Sequence, residues 1–219
     1  STNKVYGNNV NRIGVKERKT RYTFEEEFER GIDESFPVDL CGHTPYGCSK
    51  LSGDIYVQDY AHLHGLNTAV FRLSCIYGTR QFGVEDQGWL AWFTIATITE
   101  KPVTIYGNGK QVRDVLYVTD LVDAFDAFLR SKKLAGEVFN IGGGSMNSLS
   151  LLELIHLLEK LTNKKIRINY SGWRSLDQKV YISDISKAKE KLNWTPKVNT
   201  AVGVRKLVSW VQENRSFFQ

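Results

Sequence analysis

Thr44-Pro45-Tyr46-Gly47-Cys48-Ser49-Lys50 is the stretch on which the fold is read. A Thr hydroxyl can accept a free backbone N–H at a helix start, and Pro has no N–H to lose there. Thr44 therefore suits an N-cap and Pro45 a first helical position. Leu51, Ile55, Tyr56, Tyr60 and Leu63 continue that helix at three- and four-residue steps, and Gly65 ends it. Residues four apart share a helix face, so Lys50 is expected beside Tyr46, where its ammonium would favour the phenolate. Such a phenol can take a proton from, or return it to, a sugar or alcohol hydroxyl. The same spacing also occurs on ordinary solvated helix faces, so the surrounding segments decide between the two readings.

Outward from this helix, residues 8–38 are polar, charged and poorly periodic. They read as a long surface excursion with a short helix over 23–30. Residues 68–75 read as a buried parallel strand and residues 89–99 as an apolar helix. Residues 115–118 are strand-like, and Thr119 is expected to cap a helix running to Leu129. A strand over 138–141 leads into Gly142-Gly143-Gly144, read as a strand-to-helix connection. Residues 149–161 form an amphipathic helical pattern after a Ser148 cap, followed by a short strand over 166–170 and helices over 183–192 and 202–211. Alternating strands and helices predict a parallel α/β sheet with a smaller α/β lobe. No G-x-G-x-x-G fingerprint for a dinucleotide pyrophosphate is present, and the glycine run at 142–144 has neither the spacing nor the early position.

Composition narrows the function classes. A chain of 219 residues with 42% hydrophobic residues can bury a core. It contains no apolar run long enough for a membrane helix and no signal-peptide pattern. Cys41, Cys48 and Cys75 make no disulfide framework and fit a reducing cytoplasm, and four scattered His residues show no metal-ligand spacing. The net charge of +5 comes from Lys and Arg interspersed with Asp and Glu. That pattern argues for an ordinary surface plus an anion site and against nucleic-acid binding.

Several motifs then fall into one order: Ser1-Thr2-Asn3-Lys4-Val5-Tyr6-Gly7, the Tyr46–Lys50 pair, and Arg72-Leu73-Ser74-Cys75-Ile76-Tyr77-Gly78. They are followed by Gly107-Asn108-Gly109-Lys110-Gln111-Val112-Arg113-Asp114, Phe139-Asn140-Ile141-Gly142-Gly143-Gly144 and Trp173-Arg174-Ser175-Leu176-Asp177. In order and spacing the chain resembles the extended short-chain dehydrogenase/reductase family, the nucleotide-sugar epimerases and dehydratases, over essentially its whole length. The resemblance implies the C-terminal part of a Rossmann-like, doubly wound parallel sheet plus a smaller α/β substrate-binding lobe. Residues 1–78 and 116–143 would form a partial cofactor domain, and residues 79–115 and 144–219 the nucleotide-sugar lobe. With the Gly-rich opening absent, the chain reads as part of a longer enzyme.

The resemblance also implies roles. Thr2 would hydrogen-bond the reacting sugar oxygen, Tyr46 would be the acid/base, and Lys50 would support Tyr46 and bind the nicotinamide ribose of NAD. Tyr46, Lys50 and Ser74 would face the cofactor. Arg113 and Arg174 would clamp the nucleotide diphosphate, because a guanidinium fork gives paired, charge-assisted bonds to phosphate oxygens. Asp177 would lie near the nucleotide ribose. Gln87 and Trp89 would start a nucleotide-facing helix, with Trp89 either on the base or sugar face or in the core. Each arginine could instead be an ordinary surface ion pair.

Two departures matter. Cys75 stands where many members carry an Asn that reaches the phosphate, so it either has another role or simply packs. Asn3 and Lys4 stand where the 4,6-dehydratase branch carries Asp-Glu, so that dehydration is not expected. The run Gln81 to Trp89 resembles the 2-epimerase branch. The expected reaction is therefore NAD-dependent epimerisation at C2 of a CDP-linked deoxyhexose through a transient 2-keto sugar. The alternatives are a UDP-hexose 4-epimerase with the same machinery and a non-catalytic nucleotide-sugar-binding module. The expected partner is a nucleotide sugar, with no nucleic acid and no membrane, and a homo-oligomer is left open.

Overall fold

The computed structural model describes residues 1–131 and 134–218. The chain enters as an extended segment: Thr2 bridges Leu73 in parallel. It then turns through a 3-10 segment, Asn3–Arg12, kinked at Gly7, where φ is +53°. A hairpin of β1 (Val15–Glu17) and β2 (Tyr22–Phe24) follows. Then come α1 (Pro45–His64), β3 (Val70–Leu73), β4 (Cys75–Tyr77), α2 (Trp89–Thr99) and β5 (Val103–Tyr106). The middle of the chain adds β6 (Val112–Tyr117), α3 (Val118–Arg130), β7 (Val138–Ile141) and β8 (Ser148–Ser150). It closes with α4 (Leu151–Thr162), β9 (Ile168–Ser171), β10 (Val180–Tyr181), α5 (Ser186–Leu192) and α6 (Thr200–Glu213).

Pairing is mainly parallel. β3 pairs β7, and β4 pairs β6, which also pairs β10 in parallel and β8 antiparallel. β5 and β9 form a separate parallel pair. The single strand expected over 68–75 is two strands. Ser74 interrupts it, because its hydroxyl donates to the backbone and carboxylate oxygens of Asp114. Above that break the chain pairs β7; below it, β6.

β6 is buried along its whole length. It starts three residues before the strand expected from the sequence, because the charged pair Arg113-Asp114 disguises its interior character. Both charges are partnered inside: Arg113 by Asp177, and Asp114 by Ser74 and the Gly144 N–H. β6 runs directly into α3, whose N-cap is Tyr117 with no side-chain bond, so Thr119 is not the cap. Likewise Ser148 opens β8, and Ser150 caps α4 in a capping box with Glu153. A Ser-x-Ser pair offers two cap candidates, and only Ser150 has an acidic residue three positions on. The excursion at 8–38 is not merely surface. Val5, Tyr6, Val10, Ile32 and Tyr181 form a buried cluster, and of the helix expected over 23–30 only Glu26–Phe28 is helical, as a 3-10 turn, while Thr23 and Phe24 belong to β2.

The main core lies between α2, α4, α6 and the β4/β6 sheet, with Phe93, Leu154, Leu158, Leu207 and Val211 at its centre. Each such side chain contributes roughly 1.5–3 kcal/mol relative to exposure. A second core packs α3 and α5 on β3/β7 through Phe128, Phe139, Ile141, Leu192 and Trp194. Among the described residues no helix is long and apolar enough to cross a membrane, and no His/Cys/Asp/Glu cluster could hold a metal.

Candidate active site

The Tyr46–Lys50 side of the candidate site is built on the first turn of α1. Thr44 accepts the Gly47 N–H at 3.1 Å, and Pro45 occupies the first turn, so the helix starts where the sequence places it. Gly47 sets how closely α1 approaches the chain start, since a Cβ there would lie 3.0 Å from the Lys4 carbonyl oxygen. Through this contact the helix that carries Tyr46 packs on the turn that follows Thr2. Below it, a buried network fixes the angle of approach. Asp54 of α1 accepts from Arg72 of β3 at 2.9 and 3.2 Å and from Ser1 Oγ at 2.8 Å. Arg72 also donates to Tyr6 Oη at 3.2 Å, and Tyr6 donates to Asn140 of β7 at 2.8 Å. Burial pushes the Tyr6 phenol up to about 12, so it stays a neutral donor in this network.

Tyr46 and Lys50 lie side by side as expected, with the ammonium 5.6 Å from the ring centroid. Tyr46 is 53% exposed, and among the described residues neither its hydroxyl nor the Lys50 ammonium has a hydrogen-bond or ion-pair partner. Thr2 is half-buried; its hydroxyl donates to Asn3 Oδ1 at 3.1 Å and makes only a long contact, 3.5 Å, from the Lys4 N–H. Tyr46 and Lys50 suit a nicotinamide ribose and a substrate hydroxyl, since among the described residues their donors and acceptors are not spent on the protein, while the Thr2 hydroxyl is engaged only within its own turn. Ser74 differs from them. Its hydroxyl is committed to Asp114, whose carboxyl is pushed up by complete burial.

The anion-binding side is a cavity of about 210 Å³ that takes in Arg113, Arg174, Asp177, Trp89, Cys75 and Lys4. Arg113 is held rigidly. One nitrogen donates to the carbonyls of Val112 and Gln178 at 2.8 and 2.7 Å, and another pairs with Asp177 at 2.6 Å. Arg174 lies over the Tyr106 ring at 4.0 Å and pairs with Asp86 at 2.7 Å, at the exposed rim. Gly107, with φ of +90°, lets the Trp173 ring lie against the backbone, where a Cβ would be 2.7 Å from it. Trp89 meets Phe93 edge-on and donates its Nε1–H to Cys75 Sγ at 3.4 Å. Cys75 thus serves as a packing and acceptor atom in the cavity wall. Gln87 is exposed and bridges Val84 through its backbone.

Sequence reasoning passed over Tyr106, Asp86 and Gln111, which also line this cavity. The alternation in β5 carried the signal for Tyr106, whose neighbours Val103 and Ile105 are buried. A larger cavity, about 850 Å³, lies elsewhere, against residues 9–16 and 25–40. Its lining sets four carboxylates, Glu25, Glu26, Glu27 and Asp39, against two cations, Arg12 and Lys16, so the smaller arginine-lined cavity is the better candidate for an anion.

Parallel pairing, flanking helices and the Tyr–Lys pair on α1 define an α/β protein of the Rossmann-fold epimerase and dehydratase type. The chain belongs to the family described as GDP-mannose 4,6 dehydratase, whose profile matches residues 1–207. It is 46% identical over 216 residues to CDP-paratose 2-epimerase of Salmonella typhi, covering 96% of this chain and 63% of that protein. A UDP-glucose 4-epimerase of Thermotoga maritima, solved with UDP-glucose, matches with a TM-score of 0.75 at 32% identity. That match covers 85% of this chain and 58% of the other. A UDP-glucuronic acid 4-epimerase of Bacillus cereus, solved with NAD, gives a TM-score of 0.76 at 28% identity, over 100% of this chain and 61% of the other. The chain therefore spans somewhat under two thirds of the length of these relatives.

Proposed function

We propose that this chain supplies the acid/base residues and the substrate clamp of an NAD-dependent nucleotide-sugar epimerase that acts at C2 of a CDP-linked deoxyhexose, interconverting CDP-paratose and CDP-tyvelose. The observation that carries the reading is the packing of the first turn of α1, which bears the Tyr46–Lys50 pair, on the turn that follows Thr2 through Gly47, with the arginine-lined cavity reaching the same turn at Lys4. The choice of C2 and of a CDP sugar is supported by the likeness to the Salmonella typhi protein and by Asn3-Lys4 in place of two carboxylates.

In this reading Tyr46 takes the proton of the C2 hydroxyl while Thr2 donates a hydrogen bond to the same oxygen. The Lys50 ammonium, beside the Tyr46 ring, would hold the nicotinamide ribose. Bound NAD would supply the hydride-transfer chemistry, with no net redox change over a cycle. Arg113 and Arg174 hold the diphosphate, so the 2-keto sugar can turn about a fixed anchor and present its other face. Tyr46 then returns the proton. Residues 1–78 and 116–143 would serve the cofactor, and residues 79–115 and 144–219 the nucleotide sugar.

A panel of nucleotide sugars offered to the intact enzyme tests the assignment. CDP-paratose should convert to CDP-tyvelose, and deuterium at C2 should slow any turnover limited by hydride transfer. Rapid conversion of UDP-glucose to UDP-galactose, with CDP-paratose unchanged, would reject C2 in favour of the 4-epimerase.

A further inference from the structure

Lys4 links the two halves of the site. It follows Thr2 by two residues and lines the cavity that holds Arg113, Arg174 and Asp177. It also lines an adjoining cavity of about 200 Å³, shared with Thr44 and Arg174. The carboxylates around it are taken: Asp177 pairs with Arg113, Asp86 pairs with Arg174, and Glu85 at the rim accepts from Tyr106. Among the described residues the Lys4 ammonium has no salt-bridge partner. Burial, followed by the nearby Arg113, pushes its pKa down, with Asp177 and Cys75 acting the other way. A desolvated cation beside another cation is costly until an anion joins it.

The position of that anion bears on which carbon reacts. C2 is bonded to the anomeric carbon, which carries the β-phosphate; C4 lies across the ring. Placing the C2 oxygen at Thr2 and Tyr46 draws the β-phosphate toward the chain start, where Lys4 stands. Placing C4 there moves the phosphate away. The geometry points to Lys4 as a specificity-determining, substrate-binding residue: its ammonium donates to the β-phosphate and seats the sugar with C2 at Thr2 and Tyr46. The inference rests on the proposed C2 reading and adds to it the residue that sets the register.

The test compares CDP with CMP, which lacks the β-phosphate, by titration of the NAD-loaded intact enzyme. Lys4→Met keeps much of the length and removes the charge; Lys4→Arg keeps the charge. Lys4→Met should weaken CDP about 10- to 100-fold while CMP stays within about twofold, as expected for losing one charge-assisted bond to phosphate. Lys4→Arg should restore most of the preference for CDP, and Lys4→Met should raise KM for the CDP sugar more than it lowers kcat. Unchanged CDP affinity in Lys4→Met, or a parallel loss of CDP and CMP such as a distorted fold would give, overturns the role. The wild-type sugar panel judges the C2 reading separately. If that panel selects a UDP sugar turned over at C4, UDP against UMP becomes the titration pair, and a loss confined to UDP would keep Lys4 on the phosphate while removing its part in choosing C2.

Discussion

The two sides of the site are built on opposite physical terms. Among the described residues Tyr46 and Lys50 have no hydrogen-bond or ion-pair partner, and the Thr2 hydroxyl makes only short-range contacts at its own turn. Arg113 is buried, carries three short bonds to the protein, and is set before any ligand arrives. The groups proposed to exchange a proton are left uncommitted, whereas the group proposed to hold a charged anchor is pre-organised by Asp177 and two carbonyls. Arg174 is intermediate, half-exposed but stacked on Tyr106. The difference predicts which substitutions touch chemistry, which touch binding, and which touch the fold.

The largest effect is expected at the open side. Tyr46→Phe in the intact enzyme should lower kcat by roughly 10²- to 10⁴-fold with little change in stability, because among the described residues its hydroxyl bonds nothing. Near-wild-type turnover would assign the proton to another group. Asp54→Ala strikes the support beneath that side. It leaves Arg72, whose side chain is 5% exposed, without its counter-ion, and should cost about 3–5 kcal/mol in denaturant unfolding. A loss well under that range would mean that water reaches Arg72 and that α1 is held mainly by other contacts.

Arg113→Ala should weaken nucleotide-sugar binding by about 1.5–3 kcal/mol, and chemistry on bound substrate less. Equal affinities by titration would move the diphosphate elsewhere. The smallest effect sharpens the contrast between the two arginines. Asp86→Asn removes only a rim partner of Arg174 and should change stability by less than about 1 kcal/mol. A larger loss would show that Arg174 is held as rigidly as Arg113.

A second contrast, between α1 and α2, shows what the apolar pattern could tell. Both helices have the ends the sequence indicates, α1 closing at Gly65 in the left-handed conformation and α2 spanning Trp89–Thr99. Yet α2 buries most of its apolar residues, whereas Ile55, Tyr56, Tyr60 and Leu63 of α1 are exposed, and the buried positions are Gly47, Asp54 and Ala61. The three- and four-residue spacing identifies the helix. Which face packs on the described residues depends on Asp54 meeting Arg72 and on Gly47 meeting the Lys4 carbonyl, and neither is visible in the apolar pattern.

By itself the sequence determined the α/β class, the placement of Lys50 beside Tyr46, the start of α1 at the Thr44 cap, and the family. These are local properties: spacing, capping and short motifs carry their own physical cause. Tertiary structure decided the rest. It split the strand at Ser74 by giving that hydroxyl to Asp114. It placed the charged pair Arg113-Asp114 inside a fully buried strand, and it brought Asp177 to Arg113 across 64 positions of the chain. It also left Lys4 facing the anion cavity with its neighbouring carboxylates already taken. A charged residue reads as surface in a sequence because an unpaired buried charge is prohibitively costly. Only the fold shows that its partner, supplied from a distant segment, makes the interior position affordable.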